Sequence, residues 1–338
     1  MDEAHTVKPK QNFPDIGEVL FYMKKILVTG GAGFIGSHIT DRLIKDGHSV
    51  IVLDNLTTGF KEQVNSKAKF IKSDIKNLEE IAPHFTGVDY VFHLAARARI
   101  QPSIQDPAPT FHDNIIGTFN VLLASRDAGV KRVVYSASSS SYGDQDSFPL
   151  HEEMQSKFKS PYSLSKYVGE KTCELFSKLY GLETVSLRYF NVYGPRQLTS
   201  GAYATVVGIF LKQLSENKPL TIVSPGTIRR DFTHVSDIVE ANILAMQSKK
   251  VGNGELINIG RGKNYSINEV ASLILAKSKP EVRLAGADFL TQPHAVYVPE
   301  RPGEAKITLA DNKKAQDLLG WKPKINFETG IMQLFEKA

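Results

Sequence analysis

Lys25-Ile26-Leu27-Val28-Thr29 is an apolar run too short for a helix, and it leads directly into Gly30-Gly31-Ala32-Gly33-Phe34-Ile35-Gly36. An amphipathic stretch, Ser37–Asp46, follows and stops at Gly47. Strand, glycine turn and helix in this order constrain the fold more than any other feature of the chain. Gly30 permits the tight turn, Gly33 lets backbone approach a pyrophosphate, and Gly36 lets the helix pack closely on the strand. The helix N-terminus then presents free N–H groups and the positive end of its dipole to the phosphates. The turn therefore predicts a dinucleotide site lined by Gly30, Gly33, Phe34, Ile35 and Gly36. Asp54 ends the next strand-like run, Ser49–Leu53. A carboxylate there accepts hydrogen bonds from the adenosine ribose and repels a 2′-phosphate, which favours NAD over NADP. Asp74, after Ala68–Lys72, reads either as a contact to the adenine edge or as a helix N-cap.

The 338 residues suffice for one large domain or two interlocked ones. A net charge of +5 without a basic stripe gives no reason to expect nucleic acid. The single cysteine, Cys173, excludes an internal disulfide and a cysteine-rich metal site, and no metal is expected. A reducing cytoplasm is the natural setting. No apolar run approaches the ~20 residues that span a bilayer, so no membrane partner is expected. Residues 1–22 are read as an N-terminal extension, because Met23 looks like the natural start of the first strand.

Further strand-like runs lie at Tyr90–Leu94, Arg132–Tyr135 and Thr184–Tyr189. Helical patterns lie between them near Leu78–Phe85, Ile115–Ala128 and Tyr162–Tyr180. Short apolar strands alternating with helices imply right-handed βαβ units around a buried parallel sheet. The predicted class is α/β: a Rossmann-type doubly wound parallel sheet with a smaller α/β substrate-binding C-terminal domain. The first domain is assigned to residues 23–190 plus 235–260 and the second to 191–234 plus 261–338. After Asn191 helices are expected near Val206–Glu216, Val235–Gln247 and Ile267–Ala276.

Tyr162 and Lys166 stand four apart, on one face of a helix. A lysine ammonium beside a tyrosine lowers the phenol's pKa, and a tyrosinate is a capable base for a sugar hydroxyl. Ser136-Ala137-Ser138-Ser139-Ser140-Ser141-Tyr142-Gly143 begins where the run Arg132–Tyr135 ends, and strand ends in open α/β sheets carry ligand chemistry. A serine there can orient the reacting hydroxyl.

With these motifs the chain resembles the extended short-chain dehydrogenases/reductases, specifically the nucleotide-sugar epimerase/dehydratase group. The resemblance runs from Met23 to the C-terminus. Its ordered landmarks include Thr29–Gly36, Asp54-Asn55, His93-Leu94-Ala95-Ala96, Asn114 to Thr118, Tyr135 to Gly143, Tyr162 with Lys166, Arg188 to Arg196, Arg230-Asp231-Phe232, Asn258-Ile259-Gly260, Arg301-Pro302-Gly303-Glu304 and Leu319-Gly320-Trp321. It implies a tightly held NAD that takes hydride from C4 of a bound UDP-sugar and returns it to the opposite face. By position Tyr162 would be the base, Lys166 its partner and a ribose ligand, and Ser138 the orienting residue. Asn55, Gly59, Ile75, Leu94, Ala95, Ala96, Asn114, Ser136 and Tyr189 would join the cofactor site. Ser139 and Ser140 would line the sugar. Asn191, Arg230, Arg301 and Glu304 would hold the diphosphate and ribose, and arginine suits phosphate because its fork donates paired bonds. The backbone around Thr205-Val206 and Thr221-Ile222 would cradle the uracil, with Phe210 as an aromatic wall.

Dehydratases of the group need acidic side chains where Ser139 and Ser140 stand, so the resemblance implies an epimerase. Thr308 occupies a place where relatives restricted to UDP-glucose and UDP-galactose carry a bulky tyrosine. This points to UDP-GlcNAc/UDP-GalNAc, with UDP-Glc/UDP-Gal also accepted. Arg97 and Arg99 depart from the usual small or apolar residues and keep a UDP-glucuronate 4-epimerase open; their plainer reading is contact with NAD phosphates or solvent. A net-redox NAD(H)-dependent reductase and a non-catalytic NAD-binding regulator are alternatives of another class. In relatives the helices corresponding to Ile115–Ala128 and Tyr162–Tyr180 build a dimer, so a homodimer is expected.

Overall fold

The computed structural model describes residues 23–278 and 294–335. The extension assigned to residues 1–22 lies outside them. In chain order the first half comprises β1 (Lys25–Thr29), α1 (Phe34–Lys45), β2 (Ser49–Asp54), β3 (Lys69–Lys72), α2 (Leu78–Ile81), β4 (Tyr90–His93), α3 (Ile100–Gln105), α4 (Pro107–Phe111), α5 (Gly117–Asp127), β5 (Arg132–Ser138), α6 (Pro161–Tyr180) and β6 (Glu183–Tyr189). There follow β7 (Val192–Tyr193), α7 (Val206–Ser215), β8 (Leu220–Val223), β9 (Arg229–Asp231), β10 (Thr233–His234), α8 (Val235–Gln247), β11 (Asn253–Ile259), β12 (Asn264–Ser266), α9 (Ile267–Ser278), β13 (Ala295–Val298), α10 (Lys313–Leu319) and α11 (Phe327–Phe335).

Seven strands pair in the order β11-β6-β5-β4-β1-β2-β3, every pair parallel. The order reverses between β1 and β4, which opens a crevice beyond their carboxyl ends. Both faces of the sheet are covered, which is why β1 reads as an unbroken apolar run. Ile26 and Val28 face the cluster that contains Ile39 and Leu43 of α1 and Ile238 of α8. Leu27, between them, faces the cluster that contains Val121 of α5 and Phe176 of α6. β11 is not among the strands the sequence predicts, and along it full burial begins only at Ile257. A separate core joins α7, α9 and α11 to the parallel pair β8 and β13.

The helix that carries Tyr162 has an N-terminus written into its sequence. Ser160 Oγ accepts from Ser163 N at 3.2 Å, and Ser163 Oγ accepts from Ser160 N at 3.1 Å, a reciprocal capping box with Pro161 at the first helical position. Gly181, at φ 68°, ends it. The helix predicted from Ile115 has a different start. His112–Ile116 is a π-helical turn between α4 and α5, and it turns Asp113 and Asn114 inward.

Candidate active site

The crevice at the strand-order reversal is a single cavity of about 520 Å³, and the glycine turn, the serine run and the C-terminal segments all line it. Gly30 stands at φ +70°, and a Cβ there would lie 2.6 Å from Ala95 N. A Cβ on Gly36 would lie 2.2 Å from Gly30 O. Only glycine allows α1 to start this close to the strand. No side chain caps α1, and its N-cap is Gly33. The first-turn N–H groups of α1 thus keep their donors for an anion, and the residues fit a dinucleotide pyrophosphate.

Asp54 is almost fully buried on the cavity wall. Its two oxygens accept from Ala32 N at 3.0 Å and Leu56 N at 2.8 Å. Burial raises its pKa and these two bonds oppose that. It ties the end of β2 to the glycine turn, and each carboxylate oxygen has a second lone pair for a ribose hydroxyl. Leu94, Ala95, Ala96, Asn55, Ile75, Ser136 and Tyr189 also line the cavity.

Four sequence-assigned residues stand behind the wall instead. Asp74 accepts from Asn55 Nδ2 at 3.0 Å and from Lys76 N at 2.9 Å, while the cap of α2 is Asn77. It bears on the site through Asn55. The Asn114 amide bonds Arg97 N at 2.8 Å, Arg97 O at 3.1 Å and Ser165 Oγ at 2.9 Å, so it braces the loop after β4 against α6. Gly59 backs onto Ala32. Ile222 points into the C-terminal core, because side chains alternate along β8; its neighbours Thr221 and Val223 face the cavity.

Tyr162, Lys166 and Ser138 converge on the cavity from α6 and the end of β5. Tyr162 N donates to Ser103 Oγ at 3.1 Å, which registers α3 against the first turn of α6. Burial raises the pKa of the Tyr162 hydroxyl, while a hydrogen bond to Ser138 and the charge of Arg99 lower it. Lys166 Nζ donates to Ser136 O at 2.7 Å. Burial lowers its pKa to about 8, with Glu170 opposing. Arg99, a residue the helical Tyr/Lys spacing gives no sign of, thus adds to Ser138 in easing ionisation of the Tyr162 hydroxyl. Ser138 Oγ and Ser140 Oγ lie 2.9 Å apart, and Ser139 completes this wall.

At the opposite end Arg230 Nη2 donates to Glu304 at 3.1 Å. Arg301 and Gly303 also line the cavity, on a strap whose Pro302 O accepts from Gln101 at 2.7 Å. Asn191 Nδ2 donates to Asp231 O and to Thr308 Oγ1, both at 3.1 Å, and Asp231 N donates to the same Thr308 oxygen at 3.1 Å. Thr205 caps α7 through Gly208 N at 3.2 Å and reaches the cavity with Val206. Phe210 is at once wall and core. Thr57, Phe60 and Lys159 line the cavity without a sequence signal of their own; Arg196, which ends the landmark run from Arg188, and Tyr203 line it as well.

Fold and site define an NAD-dependent Rossmann-type enzyme of the short-chain dehydrogenase/reductase kind. The family profile described as "NAD dependent epimerase/dehydratase family" matches residues 26–260, and the chain belongs to that family. It is 41% identical over 312 residues, 91% of this chain and 96% of the other, to a putative UDP-glucose 4-epimerase of Methanocaldococcus jannaschii. Among solved structures it is similar to the UDP-glucose 4-epimerase of Thermotoga maritima with UDP-glucose, at TM-score 0.84 and 38% identity, covering 93% of this chain and 99% of that one. It is also similar to the UDP-N-acetylglucosamine 4-epimerase of Methanobrevibacter ruminantium M1 in complex with UDP-N-acetylmuramic acid, at TM-score 0.82 and 34% identity, covering 94% and 99%.

Proposed function

We propose that this chain inverts C4 of a UDP-sugar, with UDP-GlcNAc/UDP-GalNAc as the preferred pair and UDP-Glc/UDP-Gal also accepted. One observation carries the reading: Tyr162, Ser138 and Lys166 meet in the cavity that the uncapped helix N-terminus opens into, on a wall of serines without a carboxylate. NAD, when bound, supplies the hydride acceptor at C4. Tyr162 removes the proton of the C4 hydroxyl and later gives it back. Ser138 holds that hydroxyl, and Lys166 organises the edge at Ser136 O. Arg230 and Arg301 are suited to the diphosphate. Thr308, a small residue on the cavity wall, supports room for an N-acetyl group.

An NMR time course with UDP-GlcNAc, UDP-Glc and UDP-GlcA in separate tubes tests this. C4 inversion of the first two is expected. Inversion of UDP-Glc without UDP-GlcNAc would remove the acetyl preference, and no inversion in any tube would remove the activity. Inversion of UDP-GlcA would instead favour the glucuronate reading that Arg99 keeps open. A net-redox reductase would show a lasting NADH absorbance change when UDP-sugar is added; an epimerase returns to baseline.

A homodimer is part of the same reading. Ile116, Phe119, Leu175, Leu179 and Tyr180 are exposed at the start of α5 and on α6. These are the helices through which relatives are expected to associate. No helix among the described residues is long and apolar enough to cross a membrane.

A further inference from the structure

The loop between β4 and α3 carries two arginines with different circumstances. Arg97 Nε donates to Asp113 at 2.7 Å, and Asp113 also meets Lys76 Nζ at 3.2 Å. Arg97 is thus neutralised from the π-helical turn. Arg99 Nε donates to the backbone oxygen of Tyr203 at 2.8 Å, which fixes the guanidinium on the wall of the cavity that Tyr162 also lines. Arg99 is the N-cap of α3, and Ser103 of that helix accepts from Tyr162 N at 3.1 Å, so the two side chains start from elements in direct contact. Among the described residues no carboxylate lies within ion-pair distance of it. Glu304, which faces it, is engaged by Arg230 at 3.1 Å. A partly buried guanidinium without a carboxylate is costly, and arginine does not shed its proton to escape that cost.

The charged and titratable groups around Tyr162 can be assigned element by element. Lys166 shares its helix, and its ammonium is turned to Ser136 O. Tyr135 on β5 is buried and neutral. Arg97 with Asp113, and Arg230 with Glu304, are closed pairs. Lys159, just before α6, pairs with Asp144. In this set Arg99 alone carries a permanent charge without an ion-pair partner among the described residues; Glu304, held by Arg230, reaches it only at longer range.

We propose that Arg99 is a second cation for Tyr162, whose fixed guanidinium stabilises the phenolate that accepts the sugar proton. This rests on Tyr162 being the base of the proposed epimerisation. Lys166, with a pKa of about 8, loses its charge as the medium becomes mildly alkaline, whereas Arg99 keeps its own. Arg99 therefore sets a floor under the acidity of Tyr162 that the helix pair alone does not provide. It acts through Tyr162 and is a positioning and electrostatic residue for it.

The test compares wild type, Arg99→Gln and Arg99→Lys in two readouts. One is the pH profile of kcat for UDP-GlcNAc. The other is the ultraviolet tyrosinate titration of the purified protein, with Tyr162→Phe subtracted. In Arg99→Gln the acid limb of kcat and the Tyr162 titration should both move up, by about one pH unit, the lower end of what removing an opposite charge produces. At a pH below the limb kcat then falls roughly tenfold. Arg99→Lys should retain most of the wild-type profile. An unmoved acid limb with a uniform fall in kcat/KM would overturn the proposal, as would a loss confined to a carboxylated sugar. If wild type epimerises no UDP-sugar, the functional reading fails, and the tyrosinate titration still decides whether Arg99 acts on Tyr162.

Discussion

Glu170 sits one turn beyond Lys166 on α6 and forms two bonds to Arg188 of β6, Nε to Oε1 at 2.9 Å and Nη2 to Oε2 at 2.6 Å. Both side chains are about 97–98% shielded from water. The guanidinium also lies 4.4 Å from the ring centroid of Tyr142, and its Nη1 has no hydrogen-bond partner. Glu170→Gln keeps the shape and removes the charge. It leaves Arg188 as a buried cation with one nitrogen already unpaired, and breaking such a pair costs about 3–5 kcal/mol. The neutral amide retains part of one bond, so the lower end, about 3 kcal/mol, is expected from chemical denaturation followed by circular dichroism. Replacing both partners, Glu170→Leu with Arg188→Met, should recover most of this loss, since two matched apolar groups leave no charge stranded. A cost below about 1 kcal/mol for Glu170→Gln, or a double variant worse than the single, would refute the account of this pair as a charge-neutral clamp on α6.

Further expectations follow from neighbouring contacts. Tyr162→Phe should lower kcat by about 10²–10⁴-fold with the thermal midpoint nearly unchanged, measured by turnover and calorimetry. The pKa of Lys166 is lowered to about 8 from 10.5, so below pH 8 the folded state carries an unfavourable charge, and stability relative to Lys166→Met should rise between pH 8 and pH 10.5. The full change is on the order of 3 kcal/mol, read as denaturant midpoints at several pH values. Thr308→Val removes the oxygen that accepts from Asn191 and Asp231, and should cost about 1–3 kcal/mol by the same assay. Leu179→Glu places a charge on the exposed apolar face of α6 and should shift the proposed dimer to monomer in sedimentation.

Local signals made much of this legible. The glycine turn, the period-two and 3.6-residue patterns and the capping serines act over a few residues, so β1, α1 and α6 were visible without a structure. Tyr162 and Lys166 share a helix face for the same reason. What the sequence hid depends on partners far along the chain. Asn114 has cofactor-like surroundings in the resemblance, yet its amide is engaged by Arg97 and Ser165, 17 and 51 residues away. The Ile222 side chain is turned from the cavity by strand parity, which one residue of register decides, while its backbone still runs beside Thr221 on the cavity wall. Arg97 and Arg99 are two positions apart and chemically identical. Only the π-helical turn, by delivering Asp113 to one of them, makes one a structural ion pair and leaves the other facing the tyrosine.

That difference bears on why the site would epimerise and do nothing else. A 4-keto sugar is easily diverted by an acid that protonates a leaving group. The carboxylates on the cavity wall are all committed: Asp54 to two backbone N–H groups, Asp113 to Arg97 and Lys76, Glu304 to Arg230. The wall beside Tyr162 offers serines, whose hydroxyls are far too weak as acids near neutral pH. With the carboxylates committed, the route the proposed base favours is return of the same proton from Tyr162. The reverse transfer then requires a tyrosine that remains easily reprotonated and deprotonated across the working pH range. A permanent cation on the opposite loop serves that need better than a lysine whose burial lowers its pKa to about 8, and this makes Arg99, rather than the serines of the wall, the residue whose replacement most directly probes how the proposed chemistry stays reversible.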